Sequence, residues 1–401
     1  MRRAEARSDT RVSAGDIIVA LVVAAGVSFD FTNGFHDTAN AMATTIATGA
    51  LPPKVAVGIA AVLNFVGAFI SLSVAATVAE GIVESTAVTP VIVLGGLIGA
   101  ISWNLATWWF GIPSSSSHAL IGGVIGATLV GSGGGAIEIE GLISKVILPA
   151  AISPLLAGLL AAIGVSIIYL LIRRFQEEEA EREFRWLQVA SSSMVALAHG
   201  TNDAQKTMGV ISLALIANGS IQGGANFDVP TWVVIICATA IAAGTYSGGW
   251  RIIKTLGTKV VEVRPPQGFG SEAIAATVIL ASSHVGYPLS TTQVVSGAVC
   301  GSGVGRPGAK VNWLVARNIV AGWLLTLPAA AAASAAVYAV IELLGGGAFG
   351  AIVACVILAI GCAFLWRANR RHPMEPEDTI SDDPVFGPEA EKKAATAAAA
   401  A

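Results

Sequence analysis

Charge is what this chain has least of. Only 12% of its 401 residues are Asp, Glu, Lys or Arg, about half the share that a soluble domain carries. The few charges nearly cancel, 23 basic against 26 acidic for a net −3, and no basic tract gathers them. That excludes a nucleic-acid partner. Cysteine is scarce as well: Cys237, Cys300, Cys355 and Cys362 lie inside apolar segments, with no pairing pattern and no metal-ligand cluster. They read as small buried hydrophobes, and neither a resident metal nor a cofactor is expected. The short alternating segments of a β-barrel are missing too.

What fills the space is apolar. Hydrophobic residues make up 54% of the chain, and the mean hydropathy is +0.72. Many stretches run about 20 residues without a charge, enough to cross a bilayer core of about 30 Å. The fold class is therefore an all-α integral membrane protein, multi-pass in the plasma (inner) membrane. The opening "MRRAEARSDTR" followed by an apolar run has the outline of a signal peptide. Asp30 and the lack of a small-residue cleavage pattern make that run the first span instead.

Apolar segments fall at about 15–48, 54–79, 91–110, 113–131 and 143–172, then at 187–218, 231–249, 269–284, 288–303, 311–343 and 347–366. Between the sets stands the charged stretch Arg173–Trp186. The expected organisation is a tail at 1–14, a first repeat at 15–172, a charged cytoplasmic linker at 173–186 and a second repeat at 187–343. An extra transmembrane helix at 344–366 and a disordered cytoplasmic tail at 367–401 follow. Basic loops face the cytoplasm. Arg173, Arg174, Arg182 and Arg185 put the linker inside, as Arg251, Lys254, Lys259, Arg264, Arg306 and Lys310 do the later loops. Each half then reads as broken span, span, re-entrant hairpin, span, with opposite orientation. Two inverted-topology repeats with broken helices characterise secondary transporters. Arg2, Arg3, Arg7 and Arg11 run against this, since it leaves them outside.

Two polar knots interrupt the apolar runs, "NGFHDTANAMATT" at Asn33–Thr45 and "HGTNDAQKTMGV" at His199–Val210. Aligned at Asp37 and Asp203, they match Gly34 with Gly200 and Met42 with Met208, while His36 stands opposite Asn202. The hairpin tips match as well: Ser115, Ser116 and Ser117 after Pro113 face Ser290, Thr291 and Thr292 after Pro288. A Pro followed by Ser or Thr is expected to open a half-helix, whose free N–H groups, dipole and hydroxyls make an anion site. Two such ends would cup one tetrahedral oxyanion. At the knots, Gly34 and Gly200 are expected to unwind the helix, so that freed carbonyls, Asp37, Asp203 and the amides of Asn40 or Gln205 suit a small cation or a proton. His36, Asn202 and Glu272 join these as candidate coupling residues, Glu272 alternatively being a helix N-terminal charge. Lys206 and Arg317 are candidates for positive charge near the anion, and His118 for a second proton carrier. His199, His284 and Asp30 read as local, structural groups.

The duplication also weighs against other classes. A Ser–His dyad of an intramembrane protease gains nothing from a second tip that has Gln293 where the first has His118, so no enzyme is expected. A passive anion channel needs no paired carboxylates. Hydroxyls and helix ends read sulfate as readily as phosphate, but phosphate keeps a proton that Asp37 or Asp203 could bind.

Together with "WNLATWWFG" at Trp103–Gly111 and "ARNIVAGWLLTLPAA" at Ala316–Ala330, these motifs resemble the inorganic phosphate transporter (PiT) family over about residues 15–343. The resemblance implies a symporter that imports inorganic phosphate by alternating access, with the anion between the hairpin tips, cation sites at the knots and a homodimer in the bilayer. Sodium-coupled members typically have Asn where this chain has His36, and Glu where it has Asn64. The "FHDTAN" version resembles the bacterial low-affinity proton-coupled type, some members of which move a metal–phosphate complex. That favours a proton over sodium and leaves a divalent metal as possible cargo.

Overall fold

In the computed structural model, residues 13–224, 228–371 and 373–379 are described, and all regular structure among them is helical. Helix α1 (Ala14–Ala47) starts where Ser13 and Asp16 cap each other reciprocally, the serine hydroxyl taking the Asp16 N–H at 3.1 Å. Thirty-four residues at 1.5 Å rise make about 50 Å, so α1 outlasts a bilayer core. Next come α2 (Pro53–Gly67) and α3 (Ser73–Glu80), then α4 (Pro90–Phe110), which opens on a Thr89 cap and closes on Gly111 at φ 64°. Helix α5 (Ser116–Gly131) returns along α4, with Gly96 against Val124 and Ile92 against Gly131. Helix α6 (Ile139–Leu142) passes through a wide turn into α7 (Leu148–Ile172).

The second half repeats the order. Helix α8 (Glu177–Ala217) is followed by α9 (Thr231–Ser247), α10 (Trp250–Lys254), α11 (Pro265–His284) and α12 (Thr291–Gly305). Then come α13 (Trp313–Leu343) and α14 (Gly347–Arg371). The contacts pair off across the halves. Helix α1 packs on α9 as α8 packs on α2, and α1 meets α4 as α8 meets α11. The last helix of each half is exchanged: α13 lies along α4 and α5, and α7 along α11 and α12. Five stretches are long and apolar enough to cross a membrane (α1, α4, α6–α7, α13 and α14), and the bent pair of α9 with α10 makes a sixth.

Neither knot is broken. Helices α1 and α8 run through Gly34 and Gly200 without interruption. A Cβ on Gly34 would stand 2.2 Å from the Ile241 carbonyl oxygen of α9, and one on Gly200 2.2 Å from the Asn64 carbonyl oxygen of α2. The glycines admit a neighbouring backbone rather than unwind their own. The breaks fall one element later, at 68–72 between α2 and α3 and at Gly248–Gly249, where α9 and the helical stretch after it meet at 61°. At the C-terminus the helix continues past 366 to Arg371, and a turn at Pro376–Thr379 follows. Most of the charged stretch 173–186 is the first part of α8. The tail at 380–401, and Arg2, Arg3, Arg7 and Arg11, lie outside the described residues.

Close backbone packing clamps the hairpins. A Cβ on Gly301 of α12 would meet the Gly158 carbonyl oxygen of α7 at 1.9 Å, whereas one on Gly164 of the same α7 would meet nothing within 4 Å. Gly301→Ala is expected to lower stability by about 1–3 kcal/mol through overpacking. Gly164→Ala should leave it unchanged or raise it by up to about 1 kcal/mol through helix propensity. Thermal unfolding of both variants in detergent measures the difference.

Candidate functional site

The two knots cross at the centre of the fold, where both hairpin tips end on them. Asp37 and Asp203 are fully buried. A buried carboxylate needs hydrogen-bond donors on its lone pairs, and these come from four helices. Asp37 Oδ2 accepts from the Ser116 hydroxyl, while its Oδ1 lies 2.7 Å from His36 Nδ1 and 3.5 Å from the Thr292 hydroxyl. Asp203 Oδ2 accepts from Thr291 Oγ1 at 2.9 Å, and its Oδ1 pairs with the Lys206 ammonium one turn on. Each carboxylate thus takes a donor from the hairpin of the other half or of its own, and Asp37 takes one from both.

His199 stands between them. Its Nε2 is 3.0 Å from Asp203 Oδ2 and 3.9 Å from Asp37 Oδ2. The other ring nitrogen, Nδ1, lies 3.0 Å from Asn64 Oδ1. The Asn64 amide donates to Thr245 Oγ1 at 2.8 Å, which turns its oxygen toward the ring. Nδ1 therefore carries a hydrogen, and Nε2 faces two carboxylates with either a proton or a lone pair. A lone pair there invites a cation, because one atom each from Asp37, His199 and Asp203 all lie within 4.8 Å of one another. Neutral imidazole with two carboxylate oxygens is a workable ligand set for a small cation.

The tips differ from expectation in how they begin. Ser115 and Ser290, rather than Pro113 and Pro288, start α5 and α12, their hydroxyls accepting from His118 N at 3.1 Å and Gln293 N at 3.3 Å. The prolines lie two residues before each cap, outside the first turn. Ser116, Thr291 and Thr292 donate to the knot carboxylates, and Ser117 Oγ lies 2.6 Å from Lys206 Nζ. Asn40 reaches over to the second tip, 3.3 Å from Thr291 Oγ1 and 3.0 Å from Thr292 Oγ1. Residues expected in an anion site and residues expected in a cation site form one network.

Of the remaining candidates, Lys206 and His36 join it and the others lie apart. Gln205 is turned away: its Oε1 accepts from Val74 N at 2.9 Å and caps α3 where the chain breaks. The counterpart of Asn40 is Lys206, three residues after its Asp, and it reaches the Leu289 carbonyl and Ser117 at the tips. Asn202 donates to Ser283 Oγ at 2.7 Å, and His36 Nε2 meets Thr107 Oγ1 at 3.1 Å. Both therefore hold the end of a hairpin arm. Glu272 forms a second cluster two turns along α1, accepting from Thr44 at 2.5 Å, Thr45 at 2.8 Å and Ser191 at 2.7 Å, with Gln188 at 3.3 Å. Arg317 and His284 are exposed, so neither lends charge to the centre. His199 reads from the sequence as structural, and Gln188, Ser191, Thr44 and Thr45 do not stand out there. The four-residue spacing of His199 and Asp203 was the available signal, since it puts both on one helix face.

The chain matches the model of the phosphate transporter family over residues 33–334. It is 52% identical to a probable low-affinity inorganic phosphate transporter of Mycobacterium bovis, over 91% of this chain and 87% of that one. A protein of the same description from Bacillus subtilis is 41% identical, over 82% of this chain and 98% of its own length. Among solved structures, one titled the sodium-dependent phosphate transporter superposes with a TM-score of 0.73 at 27% identity, covering 81% of this chain and 99% of that one.

Lys206 is buried beside Asp203, so losing one member of the pair strands the other. Lys206→Met is expected to cost about 3–5 kcal/mol of stability, and adding Asp203→Asn should recover most of it. A double-mutant cycle on thermal unfolding checks this, with additive losses as the contrary result.

Proposed function

The chain belongs to the phosphate transporter family, as a multi-pass protein of the plasma membrane and not an enzyme, and from that premise we propose that it imports inorganic phosphate together with a coupling cation. The observation that carries this reading is that hydroxyls of both hairpin tips are given to the knot carboxylates, Ser116 and Thr292 to Asp37 and Thr291 to Asp203. Donors occupied by Asp37 and Asp203 are not free for an oxyanion. A cation at the carboxylates takes over their charge, releases Ser116, Thr291 and Thr292, and leaves those donors to phosphate. The helix N-termini of α5 and α12 add N–H groups and positive dipole ends on the same spot. Cation and anion thereby bind in concert.

Charge balance supports the same coupling. Asp37 and Asp203 bring two negative charges and Lys206 one positive, so a proton on His199 or a cation in its place neutralises the site. An arriving phosphate then requires further positive charge, since an unbalanced buried anion is costly. We favour a proton as that charge. Two imidazoles adjoin Asp37, and imidazole nitrogen is a poorer ligand for sodium than oxygen is. A divalent metal accompanying phosphate would be cargo and would meet Asp37, His199 and Asp203. Alternating access of two inverted repeats, assembled as a homodimer, completes the proposal. The paired contacts of α1 with α9 and α8 with α2 are consistent with it.

In proteoliposomes, labelled phosphate should accumulate against its gradient when a cation gradient is imposed, and excess sulfate should leave uptake intact. Strong competition by sulfate would make the protein a sulfate permease of the same fold, and mere equilibration would make it a channel. Ser116→Ala with Thr291→Val removes two tip donors and should raise KM by about tenfold or more, two hydrogen bonds to a charged group being worth at least about 1.4 kcal/mol.

For the coupling ion, His36→Asn is expected to flatten the pH dependence of uptake. A variant whose pH and sodium profiles match those of the parent chain removes His36 from coupling.

A further inference from the structure

Two turns before Asp37 on α1 lies an acid that the knots leave unused. Asp30 is 0% exposed. Its Oδ1 accepts from the Thr207 hydroxyl of α8, and its Oδ2 has no hydrogen-bond partner among the described residues. From α9 the Cys237 thiol adjoins the carboxyl, and on α8 Asp203 and His199 lie one and two turns before Thr207. Helix α4 carries no titratable side chain, and α14 brings only Cys355 and Cys362 ahead of its C-terminal arginines. Lys206 is committed to Asp203 and Ser117, and Arg251 lies over the Trp109 ring at 4.8 Å and donates to Asn369. An ionised carboxylate with one bare oxygen and no cation is among the costliest groups to bury. A proton on Oδ2 would cancel that charge at the oxygen that lacks a partner.

A second observation lies one turn on. Asn33, also buried, has its Oδ1 without a partner. Asp30, Asn33 and Asp37 follow one another at i, i+3 and i+7, along one face of α1. Successive members are about one turn, or 5 Å, apart along the axis, a gap that one water spans. The lone tie on Asp30 also crosses from the first half of the chain to the second.

We propose that Asp30 carries a transported proton, kept while Thr207 holds α1 and α8 together and exchanged by way of Asn33 with the Asp37 site when that contact opens. In the exchange the Oδ2–H bond breaks, the proton passes to water beside Asn33, and the carboxylate left behind takes a proton back from that water before the Thr207 hydroxyl closes on it again. This rests on the chain being a cation-coupled symporter.

The test uses the full chain in proteoliposomes, with Asp30→Asn, Asp30→Glu and Thr207→Val compared with the parent. Asp30→Asn should hold phosphate exchange at equal pH within about twofold while accumulation driven by a pH gradient falls about tenfold. Asp30→Glu should restore part of that accumulation. Thr207→Val keeps the acid but removes its donor, and should shift the pH profile of uptake. Unchanged accumulation in Asp30→Asn, or loss of exchange and accumulation together, would give Asp30 a structural role and overturn the proposal. So would an unmoved pH profile in Thr207→Val. Failure of the parent chain to take up phosphate under any cation gradient would instead sink the symporter reading.

Discussion

Two carboxylates buried side by side, Asp37 and Asp203, set the terms for everything around them. Like charges this close are tolerable only when each is wrapped in donors and a shared positive group stands between. His199 occupies that middle position, and Lys206 balances one side. The remaining donors have to come from outside α1 and α8, which is why the hairpins end where they do. Ser116 reaches Asp37 from one tip, and Thr291 reaches Asp203 from the other. The glycines of the knots serve the same end, because α1 and α8 each need to lie against the backbone of α9 or α2 for the carboxylates to meet.

The hairpins are the elements least able to stand alone. Their tips are short irregular segments that a bilayer would not solvate, so they require protein walls. The exchanged helices supply them. Helix α13 backs the first hairpin and α7 the second, each at distances that leave no room for a Cβ at the contact. A tip held in this way presents its helix N-terminus at a fixed point. Its hydroxyls meet the knot carboxylates there, together with Asn40 and Lys206.

The pairing of knots and tips was legible from residue identities, because matched polar groups are rare in so apolar a chain. The merging of the expected anion and cation sites into one network was not. Sequence spacing says which residues share a helix, but not that Thr291 and Thr292 lie within reach of Asp203, Asp37 and Asn40. Glycine in the knots was ambiguous for a physical reason. The same missing Cβ permits unwinding and permits close packing, and only the position of α9 and α2 decides between them. Gln205 and Lys206 are adjacent in sequence yet point to different sites, one to the break before α3 and one to the tips, since consecutive residues on a helix lie about 100° apart. Glu272 was visible as a buried acid, but its partners Thr44, Thr45, Gln188 and Ser191 come from two other helices.

The two halves share a frame and differ in what they hang on it. Opposite His36 stands Asn202, opposite Lys206 stands Asn40, and opposite Asp30 stands Ala196. Opposite Asn33 stands His199, so each knot brings one imidazole, while the first half alone carries Asp30 and the second half alone the Lys206 ammonium. A symmetrical pair of acids would bind two equivalent cations and give no reason for one order of events. Here Lys206 pairs with Asp203 alone, while Asp37 lies between His36 on its own helix and His199 on the other. The polar row continues on α1 alone, through Asn33 to Asp30. On the proposed reading this asymmetry assigns the labile proton to one half and the permanent counter-charge to the other, so that only one of the two matched knots needs to discharge in each cycle.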